Sequence, residues 1–265
     1  MPSAVQRWSE QLAEWSIPDH ILARAPESPW VLSREVFVRR ADRQLAAADF
    51  ERQHTPTHAA VLDALAGAGT VLDVGAGAGA ASLPCARAIT QVTAVDTDAG
   101  LLAEFGARAP VSHRLVEGRW PDVDAAPADV VVCANVLYNV SDLPSFVKAL
   151  TGHARRRVVV EIAGAHPLIT LNPLWRHFHG VARPAGPTAD DALAALRELG
   201  VDPLVVRWHK EVSPRPFDEL VDDTRKRLCL PARRTGEVAG LLRGPRPSSR
   251  SMLTLSWPPG RDDQG

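Results

Sequence analysis

The sequence predicts an α/β protein: a doubly wound, mostly parallel seven-stranded sheet ending in an antiparallel hairpin, behind an N-terminal helical cap. Three observations predict it. Short apolar runs closed by glycine or acid, beginning with Val71-Leu72-Asp73-Val74, alternate with longer helical patterns, the order of a parallel sheet with right-handed crossovers. The first run breaks into a glycine-rich turn, Asp73-Val-Gly75-Ala-Gly77-Ala-Gly79. A long strand-to-strand detour near the C-terminus suits a final antiparallel pair.

The elements follow in order. Trp8, Leu12 and Trp15 recur at helical spacing, and Pro26, Ser28 and Pro29 break the pattern. A second helix is expected over Glu35–Ala47, so residues 1–56 read as a cap. A third helix, Thr57–Leu65, leads into the domain, taken as residues 57–258. Strands are expected from Thr70 and over Gln91–Asp96, Ser112–Glu117, Asp129–Cys133 and Arg157–Ile162. Helices are expected over 80–89, Ala99–Ala107 and Leu143–His153. Residues 164–187, rich in Pro, His and Trp, read as a long substrate-side insertion. Thr188–Leu199 is a helix with Asp190 and Asp191 in its first turn. A strand at Leu204–Glu211, helices near 217–228 and 234–243, and a last strand at Ser251–Trp257 complete the domain. Residues 259–265 read as a flexible polar tail.

Composition narrows the function. A chain of 265 residues with 45% hydrophobic residues can bury one large core. Its 30 basic and 31 acidic residues argue against a dedicated nucleic-acid binder. Cys85, Cys133 and Cys229 are scattered and lack metal-ligand spacing, which predicts reduced thiols, no metal and a cytoplasmic protein. The start, MPSAVQRWSEQLAEW, lacks the apolar core of a signal peptide, and no run has the ~18 apolar residues of a membrane span.

The glycine turn carries the functional argument. Gly75 and Gly77 permit a tight turn and close approach of backbone, here with Ala76 between them, to a ligand. Gly79 is expected to open the next helix, whose free N–H groups favour an anionic group. Asp73 offers one negative charge, suited to an ammonium. The turn resembles motif I of the class I S-adenosylmethionine-dependent methyltransferases, which grips the zwitterionic methionine end of that cofactor. Gly75, Gly77 and Ala80 also fit the dinucleotide pattern G-x-G-x-x-A. Against that alternative, Asp73 would oppose a pyrophosphate, and the turn lies about seventy residues into the chain, behind a cap.

The resemblance implies further roles. Asp96, at the end of the second strand and followed by Thr97, would accept the ribose hydroxyls, while Asp98 caps the next helix. Where the family usually has an acid or amide near the adenine, this chain has Arg119 and Trp120; Trp120 either stacks on the adenine or fills the sheet edge. Cys133-Ala-Asn135-Val-Leu137-Tyr138-Asn139-Val140 resembles the stretch after the fourth strand in small-molecule methyltransferases of the ubiquinone and menaquinone biosynthesis type. Asn135 and Tyr138 are then cofactor contacts, Tyr138 facing the sulfonium or else packing.

The resemblance implies a small-molecule acceptor. Glu161 and His166 are the candidates for a general base, and Asn139, Trp175 and His177 for the acceptor pocket. His177 and His179 would need an extended backbone to share a metal. Arg155-Arg156-Arg157 follows a helix, where positive charge suits the C-terminus, while Arg225-Lys226-Arg227 and Arg233-Arg234 read as solvated helical surface, or as the docking face of an RNA or protein methyltransferase. A cofactor-binding scaffold without transfer activity is the non-enzymatic alternative.

Overall fold

The computed structural model describes residues 2–30, 34–49, 55–212, 215–244 and 247–259. Its sheet has seven strands: β1 (Gly69–Val74), β2 (Ile89–Asp96), β3 (Ser112–Glu117), β4 (Ala128–Ala134), β5 (Ala154–Ala163), β6 (Leu204–Glu211) and β7 (Ser249–Trp257). They run in the order β3-β2-β1-β4-β5-β7-β6. All pairs from β3 to β5 are parallel, and β7 is antiparallel to both β5 and β6. The order of the strands reverses between β1 and β4, so the carboxyl ends of these strands form the crevice where open α/β sheets bind ligands.

Among the described residues ten α-helices surround the sheet: α1 (Ala4–Ala13), α2 (Asp19–Leu22), α3 (Arg34–Asp49), α4 (Pro56–Leu65), α5 (Ala99–Arg108), α6 (Leu143–His153), α7 (Asn172–His179), α8 (Ala189–Glu198), α9 (Phe217–Arg227) and α10 (Thr235–Leu241). Polar side chains start many of them. Ser3, Thr55 and Thr188 close capping boxes, and Asp98 accepts from the N–H groups of Gly100 and Leu101.

The central strands β1, β4 and β5 are apolar on both faces, as helix-covered parallel strands must be. On one face Leu72, Val131, Val158 and Val160 join α6, α8 and the fully buried Trp8 of α1. On the other, Val71, Val130, Val132 and Val159 meet Val61 and Leu65 of α4, with Phe105 of α5. The described part of the first 56 residues therefore contributes in three places, one being Ile17 and Ile21 in a smaller cluster with α7, α9 and α10. α1 is part of the main core, its Trp8 indole N–H donating to the Val140 carbonyl at 2.9 Å. α3 packs against α5 and the segment following the glycine turn.

Two expectations change. Residues 80–89 do not form an α-helix; the turn is followed by a 3-10 helix, Leu83–Ala88. Pro84 lacks an N–H to continue an α-helical ladder from the turn, and β2 begins at Ile89, so only one short 3-10 stretch fits between them. The long connection expected over 164–187 also carries a short helix, α7, that the sequence reading did not place. The flexible tail expected from residue 259 lies, past Pro259, outside the described residues.

Candidate active site

The turn after β1 is built as its glycines require. Gly75, Gly77 and Gly79 take φ of 71°, 53° and 91°, which L side chains rarely adopt. A Cβ on Gly75 would lie 2.3 Å from a Val136 methyl, and one on Gly79 2.3 Å from a Leu83 methyl. Gly77 has more room, and what lies nearest is the Phe37 ring of α3, at 3.9 Å. The turn is fastened to β2: the N–H groups of Gly75 and Ala76 donate to the Val95 carbonyl, and Gly77 N–H to Asp96 Oδ2 at 2.8 Å. The Gly79 N–H donates to the Ala76 carbonyl, so it does not open an α-helix as expected.

Asp73 is fully buried beneath this turn. Its Oδ2 accepts from the Ser82 hydroxyl at 2.5 Å, while Oδ1 has no partner among the described residues. Burial pushes the carboxyl up to about 7; the Ser82 hydrogen bond opposes this and the nearby Asp96 charge adds to it. A buried carboxylate oxygen without a donor, next to backbone held open by glycines, fits an ammonium-bearing ligand. Asp96 is half-buried, and its oxygens accept from the Gly77 and Asp98 N–H groups, which leaves lone pairs for ligand hydroxyls. Thr97 is exposed beside it.

Glu161 turns out to be a hub. Strand alternation puts it on the α4 face of β5, 3% exposed. Its Oε1 meets Asn135 Nδ2 at 2.8 Å, Arg40 at 3.2 Å and Lys210 Nζ at 3.2 Å; its Oε2 accepts from Thr57 at 2.9 Å. Burial alone would raise its pKa. The Lys210 and Arg40 charges, with the Asn135 and Thr57 hydrogen bonds, instead hold it down at about 2. A carboxylate held this low by four donors is a poor proton acceptor. Asn135 sits at a φ of 61°, its N–H donating to the Glu161 carbonyl.

His166 is buried, stacked on Trp15 with ring centroids 3.7 Å apart and edge-on to Tyr138. Burial, with the Arg183 and Arg227 charges, lowers it to about 4, so it is neutral at pH 7. Its Nδ1 accepts from the Leu168 N–H.

Several other expected contacts resolve as packing. The Tyr138 hydroxyl donates to the Ala163 carbonyl at 2.7 Å and Trp8 stacks on its ring, so neither is turned to a sulfonium. Trp120 is buried in the main core, edge-on to His153 at the far end of α6, filling the sheet face rather than covering an adenine. Arg119 and Asn139 are exposed. Trp175 is buried among α7, α9 and α10 in a separate cluster and lines a cavity of about 10 Å³, room for roughly one water. His177 pairs with Glu237 at the surface, and His179 meets the Leu228 carbonyl. Two residues apart on a helix, the histidines diverge instead of sharing a ligand. Among the described residues no group of His, Cys, Asp and Glu is arranged to hold a metal ion.

Sequence reasoning missed Arg40, Thr57, Lys210 and Arg250, which come from α3, α4, β6 and β7. Only the pairing of Lys210 with Arg250 across the final hairpin could have hinted at them, and that register is invisible until the strands are paired.

Residues 72–160 match the methyltransferase-domain family. Over these residues, and in the order of its strands, the chain is similar to the class I, Rossmann-like S-adenosylmethionine-dependent methyltransferases. The chain is 29% identical over 182 residues to the ubiquinone biosynthesis O-methyltransferase of Rhodopseudomonas palustris strain BisB5, covering 67% of this chain and 64% of that protein. With the same-named protein of strain BisB18 it shares 29% identity over 251 residues, 92% of this chain and 84% of the relative. The fold is similar to that of a Geobacter sulfurreducens S-adenosylmethionine-dependent methyltransferase in complex with S-adenosylhomocysteine (TM-score 0.50, 15% identity, covering 82% of this chain and 98% of that one). It is similar too to magnesium protoporphyrin IX methyltransferase from Synechocystis PCC 6803 (TM-score 0.50, 16% identity, covering 89% and 92%).

Proposed function

We propose that the protein transfers a methyl group from S-adenosylmethionine to a small-molecule acceptor by in-line displacement. The observation that carries this reading is the buried, half-satisfied Asp73 under a glycine turn tied to Asp96. That pair offers an acid for an ammonium and an acid for a ribose about one strand apart. The cofactor supplies an activated methyl on a sulfonium; the protein's part is to orient it, exclude water and place a nucleophile behind it.

The turn of Gly75, Ala76, Gly77 and Gly79 cradles the methionine end, Asp96 and Thr97 receive the ribose, and Asn135 closes the side nearest β5. Residues 1–56 supply α3 as cover, and 164–187 form the acceptor-side wall. The naming of the Rhodopseudomonas relatives supports an oxygen acceptor. Among the described residues no helix is long and apolar enough to cross a membrane. All three cysteines are free and buried, and burial pushes the Cys85 thiol up to about 12, in keeping with a structural role.

Calorimetric titration with S-adenosylmethionine, with NAD as control, tests this. Binding of S-adenosylmethionine alone, weakened in Asp73→Asn, supports the reading. Binding of NAD alone, or of neither, overturns it.

A further inference from the structure

Beside the glycine turn lies an excess of positive charge that the cofactor cradle does not explain. Lys210 and Arg250 are directly opposite each other on β6 and β7, so both side chains stand on one face. Like charges so placed repel, and a natural hairpin would ordinarily avoid the arrangement. Arg40 comes down on them from α3. The only carboxylate these three cations reach among the described residues is Glu161, which pairs with Arg40 and Lys210. Arg250 makes no ion pair or hydrogen bond among the described residues, yet it feels the charges of both Arg40 and Glu161. The Nε of Arg40 is buried without a partner.

Three cations around one carboxylate leave a surplus of about two positive charges, with Lys210 and Arg40 partly buried and Arg250 exposed at the edge. Lys210 shows the strain: burial, aided by Arg40, brings its ammonium down to about 8 despite Glu161. Its Nζ lies 5.5 Å from the Trp208 ring, so an aromatic face borders the same space. The position separates this cluster from the adenosyl half of the cradle. Strands lie about 4.8 Å apart, so β7 and β6 are roughly 14 and 19 Å from β1, on the side away from β2 and Asp96.

Resting on the methyltransferase reading above, we propose that Arg40, Lys210 and Arg250 form an oxyanion subsite that holds a carboxylate or phosphate of the methyl acceptor, with Trp208 bordering the acceptor's ring. The acceptor is then an anionic, aryl-sized molecule, and the surplus charge is neutralised only when it is bound.

The test is a calorimetric titration of the protein, preloaded with S-adenosylhomocysteine, with benzoate, phenyl phosphate and the neutral isostere benzamide. Benzoate or phenyl phosphate should bind about tenfold or more tightly than benzamide, the tighter of the two identifying the anion. The preference should vanish in Lys210→Met and in Arg250→Gln; the second alters an exposed side chain, so its fold is secure. Equal binding of all three probes, with S-adenosylhomocysteine bound normally, overturns the subsite alone. Anion preference without S-adenosylhomocysteine binding supports the subsite and overturns the methyltransferase reading. Loss of S-adenosylhomocysteine rather than benzoate in the variants assigns the cations to the cofactor's carboxylate and overturns the acceptor subsite.

Discussion

Replacing Asp73 by Asn tests the buried carboxylate from two sides. The group rises from 3.8 to about 7 on folding, a shift of about three units, and each unit corresponds to ~1.4 kcal/mol. Between pH 4 and 7 the folded protein holds a proton that the unfolded chain has released, so stability falls as pH rises through that window. Below pH 4 the penalty is absent; above pH 7 it reaches roughly 4 kcal/mol. Asparagine escapes it, keeps an acceptor for Ser82, and leaves one amide donor unmet at a cost of ~1–3 kcal/mol. Asp73→Asn should therefore be more stable than the parent at pH 8 by about 1–3 kcal/mol and no more stable at pH 4. The assay is urea unfolding of both proteins at the two pH values, followed by circular dichroism, with equal m-values required. A variant that is less stable at pH 8, or whose advantage does not change with pH, refutes the reasoning. The variant should also bind S-adenosylmethionine at least about tenfold more weakly, since an amide offers the ammonium no charge.

Other substitutions probe the surrounding structure. Glu161→Gln strips the counter-charge from Arg40 and Lys210 and should cost about 3 kcal/mol, read as a fall in thermal midpoint. Because Glu161 sits at about 2, its contribution is complete above its unfolded pKa near 4.5 and is lost as pH falls toward 2, so the gap between the two proteins should close in acid. Tyr138→Phe forfeits the bond to Ala163 at ~0.5–1.5 kcal/mol while leaving S-adenosylmethionine affinity unchanged in calorimetry. Trp8→Ala should cost ~3–5 kcal/mol in urea unfolding, as expected of a core residue and not of a detachable cap.

How much could be read in the sequence depended on how local the cause was. The β1 run and its glycines determine their own geometry, so the turn was legible from Asp73 to Gly79. The terminal antiparallel strands were legible because the detour before β7 is long. The helix expected after the turn failed at Pro84, a single residue outweighing an alanine-rich pattern. Tyr138 and Trp120 stayed open between ligand contact and packing because a tyrosine or tryptophan at a strand end looks the same in either role; the contacts with Trp8 and His153, distant in sequence, are what favour packing. The Glu161 hub was illegible for the same reason, since Arg40 lies 121 residues away along the chain.

The way α3 is attached has a consequence for traffic through the site. Apart from Ala41, Leu45 and the Phe37 ring over Gly77, its fastenings are charges. Arg34 pairs with Asp98, Arg39 with Glu219, Arg40 with Glu161 and Asp42 with Arg108. Pairs open to water are worth only ~0.2–1 kcal/mol each and are screened within about 10 Å at 0.1 M salt. A helix moored in this way rides over the crevice like a drawbridge on ionic hinges. Three of these four pairs are open to water, so raising the ionic strength should loosen the helix more than the sheet beneath, and the rates at which small molecules enter and leave should depend on salt more steeply than the stability of the fold does.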